Sequence, residues 1–370
     1  MLSLLLLLVQ AAPPATGEII VNGRRLETLK SCEQRHCSTP DDVRLSIAHA
    51  EALFARGKYA EARAVLSAAL SRQRQNARQF PRLVAALYEA SATINLHLGD
   101  MGRYRTAIIA QGRTLRENLP EDDPQVLLTK VELADFWLKQ GQSAEARRQY
   151  ESAAQSYARR GEPRLSALCH LRVVALDIAL RSFSAAGERL DRIARSPAAG
   201  DPAVRLVSAV MVARLAAARG KDADVDALIT TLRAEPGATP VLVRSGKMPL
   251  EAQEQVPMIL GEQMPDIGRT ALQWADVGYM IGEDGRVSDV EVLRSSRGAS
   301  WVSPYMAEIA GRRYVPLNLP PGHPGIYRVE RYTLRAALSV PKGSLIKQPT
   351  GHAEIVVTDL TARHAASQKK

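Results

Sequence analysis

Apolar positions along the first two thirds of the chain recur every three or four residues. In "IAHAEALFARGKYAEARAVLSAAL", Ile47, Ala50 and Phe54 share one helical face, and Ala62, Leu66 and Ala69 share the face of a second helix. Gly57 stands between them as a stop signal. The stretch "LLTKVELADFWLKQGQSAEARRQYESAAQSY" repeats the design, with Leu127, Val131, Ala134 and Leu138 before Gly141, and Ala146, Tyr150, Ala153 and Tyr157 after it. Ala62, Ala107, Ala146 and Ala186 open second helices at steps of 45, 39 and 40 residues, and a weaker unit follows near Val225. Turn signals precede them: Gly57 with Tyr59, Gly102 with Tyr104, Gly141 with Ser143, then Phe183. Leu119-Pro120, Ser196-Pro197 and Glu235-Pro236 punctuate helix ends. The pattern predicts an array of paired helices over 41–236, with alanines that let the helices approach closely.

Beyond that point the period changes from helical to alternating. "GYMIGEDGRVSDVEVLRSS" reads as two strands around Asp284-Gly285, a two-residue hairpin signal because both central positions of that turn need positive φ. Glu283 then faces Arg286, and Val277, Tyr279 and Ile281 share a face with Ser288, Val290 and Val292. "SWVSPYMAEIAGRRYVPL" predicts a short helix with Ser303 as N-cap, Pro304 at its first position and Gly311 near its end. Tyr305, Ile309 and Met306 would face the sheet. "GIYRVERYTLRAAL" alternates as a strand from Ile326 to about Leu338. Together these make a compact ββαβ unit, and the whole chain an α+β protein. Two further short segments are β-prone, "EIIVNGRRL" at 18–26 and "EIVVTDL" at 354–360. Either pairs in cis with an open sheet edge or serves as a bait strand for another protein. The terminal "ARHAASQKK" reads as a frayed tail.

Two resemblances follow from these motifs. "GKYAEARAVLSAAL" and "GQSAEARRQYESAA" resemble the tetratricopeptide family, whose units pair "G-x-Y-x-x-A" with a later small residue in the second helix. The period exceeds the roughly 34 residues of the standard repeat, which inserted residues or a looser helical-hairpin family would each explain. The resemblance implies a concave surface for peptides or proteins, or a scaffold that only holds the terminal module. Residues 255–340 resemble the C-terminal domain of TonB, the periplasmic energy-transducing protein of Gram-negative bacteria. The matching segments are "VGYMIGEDGRVSDVEVLRSS", "YMAEIAGRRYVPL" and "YRVERYTLRAAL". Arg312 stands where that family often has Trp ahead of an aromatic and a proline, here Tyr314 and Pro316. The family's Tyr-Pro motif is not evident in "EQVPMILGEQMPDIG", and neither a membrane anchor nor a long Pro-rich spacer is evident in the sequence. The resemblance implies that the last strand, with Tyr327, Val329, Arg331, Tyr332 and Leu334, is a sheet edge that grips an extended peptide by β-augmentation. The alternative is an edge used internally.

Composition and charge refine this picture. "MLSLLLLLVQAAPPATG" carries an apolar run from Leu2 to Val9, far short of the roughly 20 residues of a membrane span but suited to a secretory signal cleaved near Val9-Gln10-Ala11. A buried segment or a truncated anchor are the alternatives, and no basic segment precedes the leucines. In an oxidising compartment Cys32 and Cys37 of "SCEQRHC" would close a local disulfide. The competing reading is a metal pair helped by His36, which lacks a second Cys or His pair at partner spacing. Cys169 reads as a small packed apolar residue. The formal net charge of +10 favours anionic surfaces, but Arg is spread without a dense run or interleaved aromatics, which argues against nucleic acid. The seven histidines are scattered; no metal motif, phosphate loop or nucleophile elbow is present, and "LPEDDP" at 119–124 reads as a turn with a helix cap.

The expectation is therefore a non-enzymatic chain without cofactor or metal. It comprises a signal peptide (1–17), an extended segment with the Cys32–Cys37 disulfide (18–40), a tetratricopeptide-like array (41–236), a TonB C-terminal-like module (237–340) and a tail with a possible short strand (341–370). Its expected role is that of a periplasmic adaptor binding envelope proteins or extended peptides, in a setting of TonB-type outer-membrane transport, with no stable membrane span once the signal is removed. The alternative is a structural cell-envelope protein contacting peptidoglycan.

Overall fold

The computed structural model describes residues 24–34, 36–221, 239–246, 272–296, 299–339 and 348–361, with isolated positions between 227 and 234. The proposed signal segment, residues 18–23 of the first β-prone stretch and the tail from 362 lie outside these residues. Helices come first: α1 (Arg24–Gln34), α2 (Thr39–Ala55), α3 (Tyr59–Gln73), α4 (Pro81–His97), α5 (Met101–Asn118), α6 (Pro124–Lys139), α7 (Ser143–Arg159), α8 (Pro163–Ala179), α9 (Phe183–Ala194) and α10 (Pro202–Ala218). The described end of "EIIVNGRRL" is thus helix, not strand, because α1 packs on α2 and buries Leu29 and Cys32. Helix therefore begins before 41. Cys32, in the last turns of α1, is joined to Cys37 in a disulfide, their Cα atoms 5.0 Å apart.

Each helix pair turns in the same way. Gly57, Gly99 and Gly141 have left-handed backbone, and Arg181 takes the equivalent place in the fourth pair. The following residue donates its N–H back across the turn, Lys58 to Leu53, Asp100 to Asn95, Gln142 to Trp137 and Ser182 to Asp177, which closes the helix end with a Schellman bond. Gly102, expected as a turn residue, lies inside α5; Gly99 does that work. The long period comes from long helices, since α2 to α7 run 15 to 18 residues each. Proline in the first turn of α2, α4, α6, α8 and α10 starts the leading helix of each pair. Asp123 of "LPEDDP" caps α6 through the Gln125 N–H. Ala62, Leu66, Ala134, Ala146 and Ala153 are wholly buried where the paired helices cross.

The β-module contains β1 (Leu242–Arg244), β2 (Gln273–Ile281), β3 (Val287–Ser295), α11 (Ser303–Ala310), β4 (Arg313–Tyr314), β5 (Ile326–Ser339) and β6 (Gln348–Asp359). The main sheet is antiparallel in the order β3-β2-β5-β6, and β1 pairs with β4. The expected hairpin, helix and returning strand are all there, with Ser303 as the first helical residue and Val302 ahead of it. The hairpin turn differs. Gly285 donates to the Gly282 carbonyl, so Glu283 and Asp284 occupy the turn centre and Gly285, at φ 74°, is the bulge residue that follows. Arg286 consequently pairs with Asp284 rather than Glu283. The register begins at Ile281 opposite Val287, and a bulge at Asp289 restores Gly278 to Glu291 and Val277 to Val292. Val277, Tyr279 and Ile281 share the module core with Val290 and Val287, while the bulge leaves Ser288 in solvent and Val292, opposite Val277 on the edge strand, stays exposed. A Cβ on Gly285 would meet the Tyr314 carbonyl oxygen at 2.2 Å, so the turn is also fitted against the exit from α11.

Candidate functional site

The strand expected to grip a peptide is not at an edge. Ile326 to Leu334 pair with β2 on one side, and Glu330 to Ser339 pair with β6 on the other. Even Val329 is taken: its carbonyl accepts from Leu360 N–H and its N–H donates to the Thr361 hydroxyl. The main-chain groups that an added peptide would use are satisfied in cis by the chain's own "EIVVTDL", whose Ile355, Val356 and Val357 suit a pleated surface. The possible short strand within the 341–370 tail is thus a full sheet strand, and "EIVVTDL" takes the cis-pairing alternative. Among the described residues, the sheet edges left without a partner are the outer sides of β3 and β6. Bulges and the charges of Asp289, Glu291 and Arg294 blunt the first.

Side chains of β5 alternate between two buried faces. Tyr332 and Leu334 point into the module core with Trp301, Ile309 and Tyr314. Val329 and Tyr327 pack instead with Phe54, Tyr59, Leu66 and Leu87 of the helical array. On that same face Arg331, wholly buried, pairs with Asp276 at 2.6 Å and donates to the carbonyls of Phe54 and Ala55 at the end of α2. His97, at the end of α4, reaches Thr333 of β5 and Thr358 of β6 at 2.8 Å each, and stacks on Tyr59. The turn glycines of the first two helix pairs are docking points. A Cβ on Gly57 would meet the Trp274 indole nitrogen at 2.1 Å, and one on Gly99 would meet Arg335 at 2.6 Å, whereas Gly141 has open space. The array's far end is also tied: Arg214 of α10 donates to the carbonyls of Leu242 and Val243, and burial lowers its pKa to about 10.

The opposite face of the sheet holds a buried charge network. Arg312 donates to Glu308, Glu330 and the hydroxyls of Tyr279 and Tyr332. Arg328 pairs with Glu330 and Asp359. Burial acts to raise the Glu330 carboxyl, but Arg312 and Arg328 outweigh it and hold the group below its ordinary value. Burial, with Glu330 beside them, pushes Tyr279 and Tyr332 well up. Every member is hydrogen-bonded or ion-paired within the network, which therefore reads as fixed packing rather than as reactive chemistry. It also shows why Arg312 fits where an aromatic was expected: its guanidinium lies over the Tyr279 ring at 5.8 Å.

The leading helices carry a polar ladder of a different kind. Glu89 on α4, Glu132 and Asp135 on α6 and Arg172 on α8 follow one another. Asp135 accepts from Arg172 at 2.7 Å and from the Tyr150 hydroxyl, and Glu132 accepts from Gln111 at 2.8 Å. Burial, then Glu89 and Asp135, raise the Glu132 carboxyl to about 8. The surrounding helices also raise Glu89 by desolvation, although its outer side is open to solvent and it has no side-chain partner among the described residues. Two carboxyl groups thus crowd the start of the ladder, and among the described residues neither is ion-paired. Among the described residues no group of three His, Cys, Asp or Glu side chains could hold a metal, and no helix is long and apolar enough to cross a membrane.

Sequence reasoning placed the β5 residues together and missed their surroundings. Arg331, Thr333 and Arg335 occupy every second position of an alternating strand, a pattern that ordinarily marks a solvent face. The signal for the second layer was "EIVVTDL" itself, offered by the sequence as a cis partner or a bait strand, whose apolar residues at successive positions suit a strand with both faces covered.

No family model matches the chain, and no curated protein does. Among solved structures, a crystal structure of a Podosopora anserina chain assigned to kinesin light chains, with nearly identical TPR-like repeats and one substituted residue, is 20% identical. It superposes with a TM-score of 0.42 over 53% of this chain and 95% of its own. A second crystal structure of that protein gives 0.41 at 19% identity, over 51% and 92% of the two chains. At that level of superposition the repeat assignment rests on the helix pairs described above.

Proposed function

We propose that the protein is a protein-binding adaptor whose partner surface is the layer of leading helices, with the β-module fixed to the array as a brace. The observation that carries this reading is the crowding of Glu89 and Glu132 at the start of the polar ladder, a cost of folding that a partner's basic side chain would relieve. Helical-repeat arrays present such surfaces to proteins and peptides. In the module Arg312, Arg328 and Arg331 each already have a buried carboxylate partner.

Export to the periplasm is part of the proposal, supported by the apolar run after Met1 and by the Cys32–Cys37 disulfide. A role beside TonB-type outer-membrane transport rests on the segment resemblance of the module alone. A strand-adding partner has two routes there, the outer edge of β6 or replacement of β6 on Tyr327–Leu334.

A photo-crosslinking residue placed at the exposed Thr93, one turn along α4 from Glu89, and for comparison at the exposed Arg148 on α7, tests the surface in an envelope extract. Discrete adducts from position 93 and none from 148 support the adaptor reading. Equal labelling at both positions, or none at either, removes it. Sequencing the mature N-terminus after expression in a Gram-negative host tests export separately.

A further inference from the structure

Gln111 on α5 is only 4% exposed, and it uses half of its amide. Its Nε2 donates to Glu132 at 2.8 Å, while its Oε1 is buried with no hydrogen-bond partner among the described residues. Folded interiors rarely leave such an oxygen unanswered. Turning the amide over does not help, because Oε1 would then meet an acceptor and Nε2 would lose its own. A carboxylic acid does help. Its hydroxyl donates and its carbonyl accepts, the complement of a primary amide, so one proton on Glu132 supplies the donor that Oε1 lacks.

The groups around Glu132 favour that proton. Glu89 acts on it from α4, Tyr104 from α5, Asp135 from its own helix and Tyr157 from α7, and none of these carries positive charge. The cations of the ladder serve Asp135 instead, Arg172 at 2.7 Å and Lys139 at longer range. Burial, then Glu89 and Asp135, raise the Glu132 carboxyl, in agreement with what the orphaned oxygen requires. Leu128, one turn before Glu132 on the same face of α6, is 43% exposed and gives the methylene stem of a lysine an apolar footing. An ammonium suits two neighbouring carboxylates, because its three donors diverge, whereas a guanidinium fork matches one.

We infer that in the free protein Glu132 is a carboxylic acid paired with the Gln111 amide, and that a partner's lysine displaces its proton when the ammonium pairs with Glu132 and Glu89. The inference rests on the partner surface proposed above and names its chemistry, a lysine beside an apolar residue taken in exchange for a proton. Losing the bond to Oε1 is a cost that only a well-placed cation offsets. One proton passes to solvent for each ammonium bound. Below the Glu132 midpoint affinity therefore rises about tenfold per pH unit, and above it affinity levels off.

The test uses the full chain with its disulfide intact, carbon-labelled at the side-chain carbonyls of Glu and Gln and titrated by NMR. The Glu132 signal is identified by its loss in Glu132→Gln, and the Gln111 signal by its loss in Gln111→Met. Both are expected to move at one shared midpoint, well above the ordinary carboxyl value of 4.5. N-acetyl-Leu-Lys-amide should lower that midpoint and bind about tenfold tighter for each pH unit gained below it. N-acetyl-Leu-norleucine-amide, which lacks the ammonium, should leave it in place. A Glu132 midpoint near 4.5, a Gln111 signal that titrates apart from it, or equal effects of the two dipeptides overturn the inference, whatever crosslinking at Thr93 shows. Missing adducts at Thr93, with the shared midpoint and the lysine response intact, remove the protein-partner reading and uphold the proton-exchanging lysine site.

Discussion

The helical array and the β-module bury charge in opposite ways. In the array the buried carboxylates Asp42 and Asp177 are answered by arginines that keep part of their guanidinium in solvent, 35% of the side chain for Arg72 and 28% for Arg147. In the module both partners go inside: Arg331 with Asp276, and Arg312 and Arg328 with Glu330, none of these side chains more than 7% exposed. The array therefore rests on apolar contacts repeated along the chain, and its ion pairs are trimmings. The module's ion pairs cost desolvation, and what they supply is a unique geometry. Two arginines of β5, Arg331 and Arg335, reach across to the array, so the junction is specified by charge and shape together.

Breaking that contrast should be easiest at its most buried member. Arg331→Leu leaves Asp276 facing only Arg294 and uncaps the end of α2; we expect a loss of about 3–5 kcal/mol in urea unfolding. The exposed array residue Arg148, changed to Leu, should stay within about 0.5 kcal/mol of wild type. A similar loss for both would mean that the module does not depend on its charges in the way described.

The turn glycines give a sharper comparison, because Gly57 and Gly141 share one backbone conformation and differ only in what stands over them. Gly141→Ala should cost about 1 kcal/mol, the strain of a left-handed alanine. Gly57→Ala should cost about 2–3 kcal/mol and change the Trp274 emission, since the indole must move as well. Equal costs would show that the junction yields without penalty.

Two smaller effects belong to the array side. Cys37→Ser opens the short loop after α1 and should lower stability by about 2 kcal/mol, an amount that reducing agent reproduces in the wild type. For Glu132 the folded carboxyl titrates at about 8 against an ordinary 4.5, so the folded chain holds the extra proton between those values. Its stabilising contribution is complete below pH 4.5 and is lost as pH rises through 8. Glu132→Gln should match wild type near pH 4 and become increasingly the more stable of the two as pH rises toward 9. A flat difference across that range would remove the crowding on which the partner surface rests.

How much of this could be read beforehand follows the same divide. Leu127, Val131, Ala134 and Leu138 are all buried as their spacing foretold, because a helix that packs on its neighbour in sequence writes its contacts locally. The hairpin's existence was legible; its turn was misplaced by one residue because Gly285 serves as a bulge against Tyr314, a partner nearly thirty residues away. The site residues of β5 were legible as a strand, and the sequence left open whether its edge is free or used internally; the pairing with β6 decides for the second. Arg331 and His97 find their partners in other elements, and no local pattern records that Gly57 is kept small for a tryptophan at position 274.

The bond from Arg331 to the Phe54 carbonyl joins residues 277 positions apart. On a ribosome, the first helix pair emerges and can fold long before the strand that completes its flank has been made. Until then Phe54, Tyr59 and Leu66 keep part of their surface in water, and the early product is an open coil of helices with a sticky end. Arrival of β5 and β6 fastens the last segment to the first and turns a spring into a closed frame. Truncated chains that stop before Ile326 should therefore be recognised by the cell as unfinished, and chaperone capture should end only with the final strands.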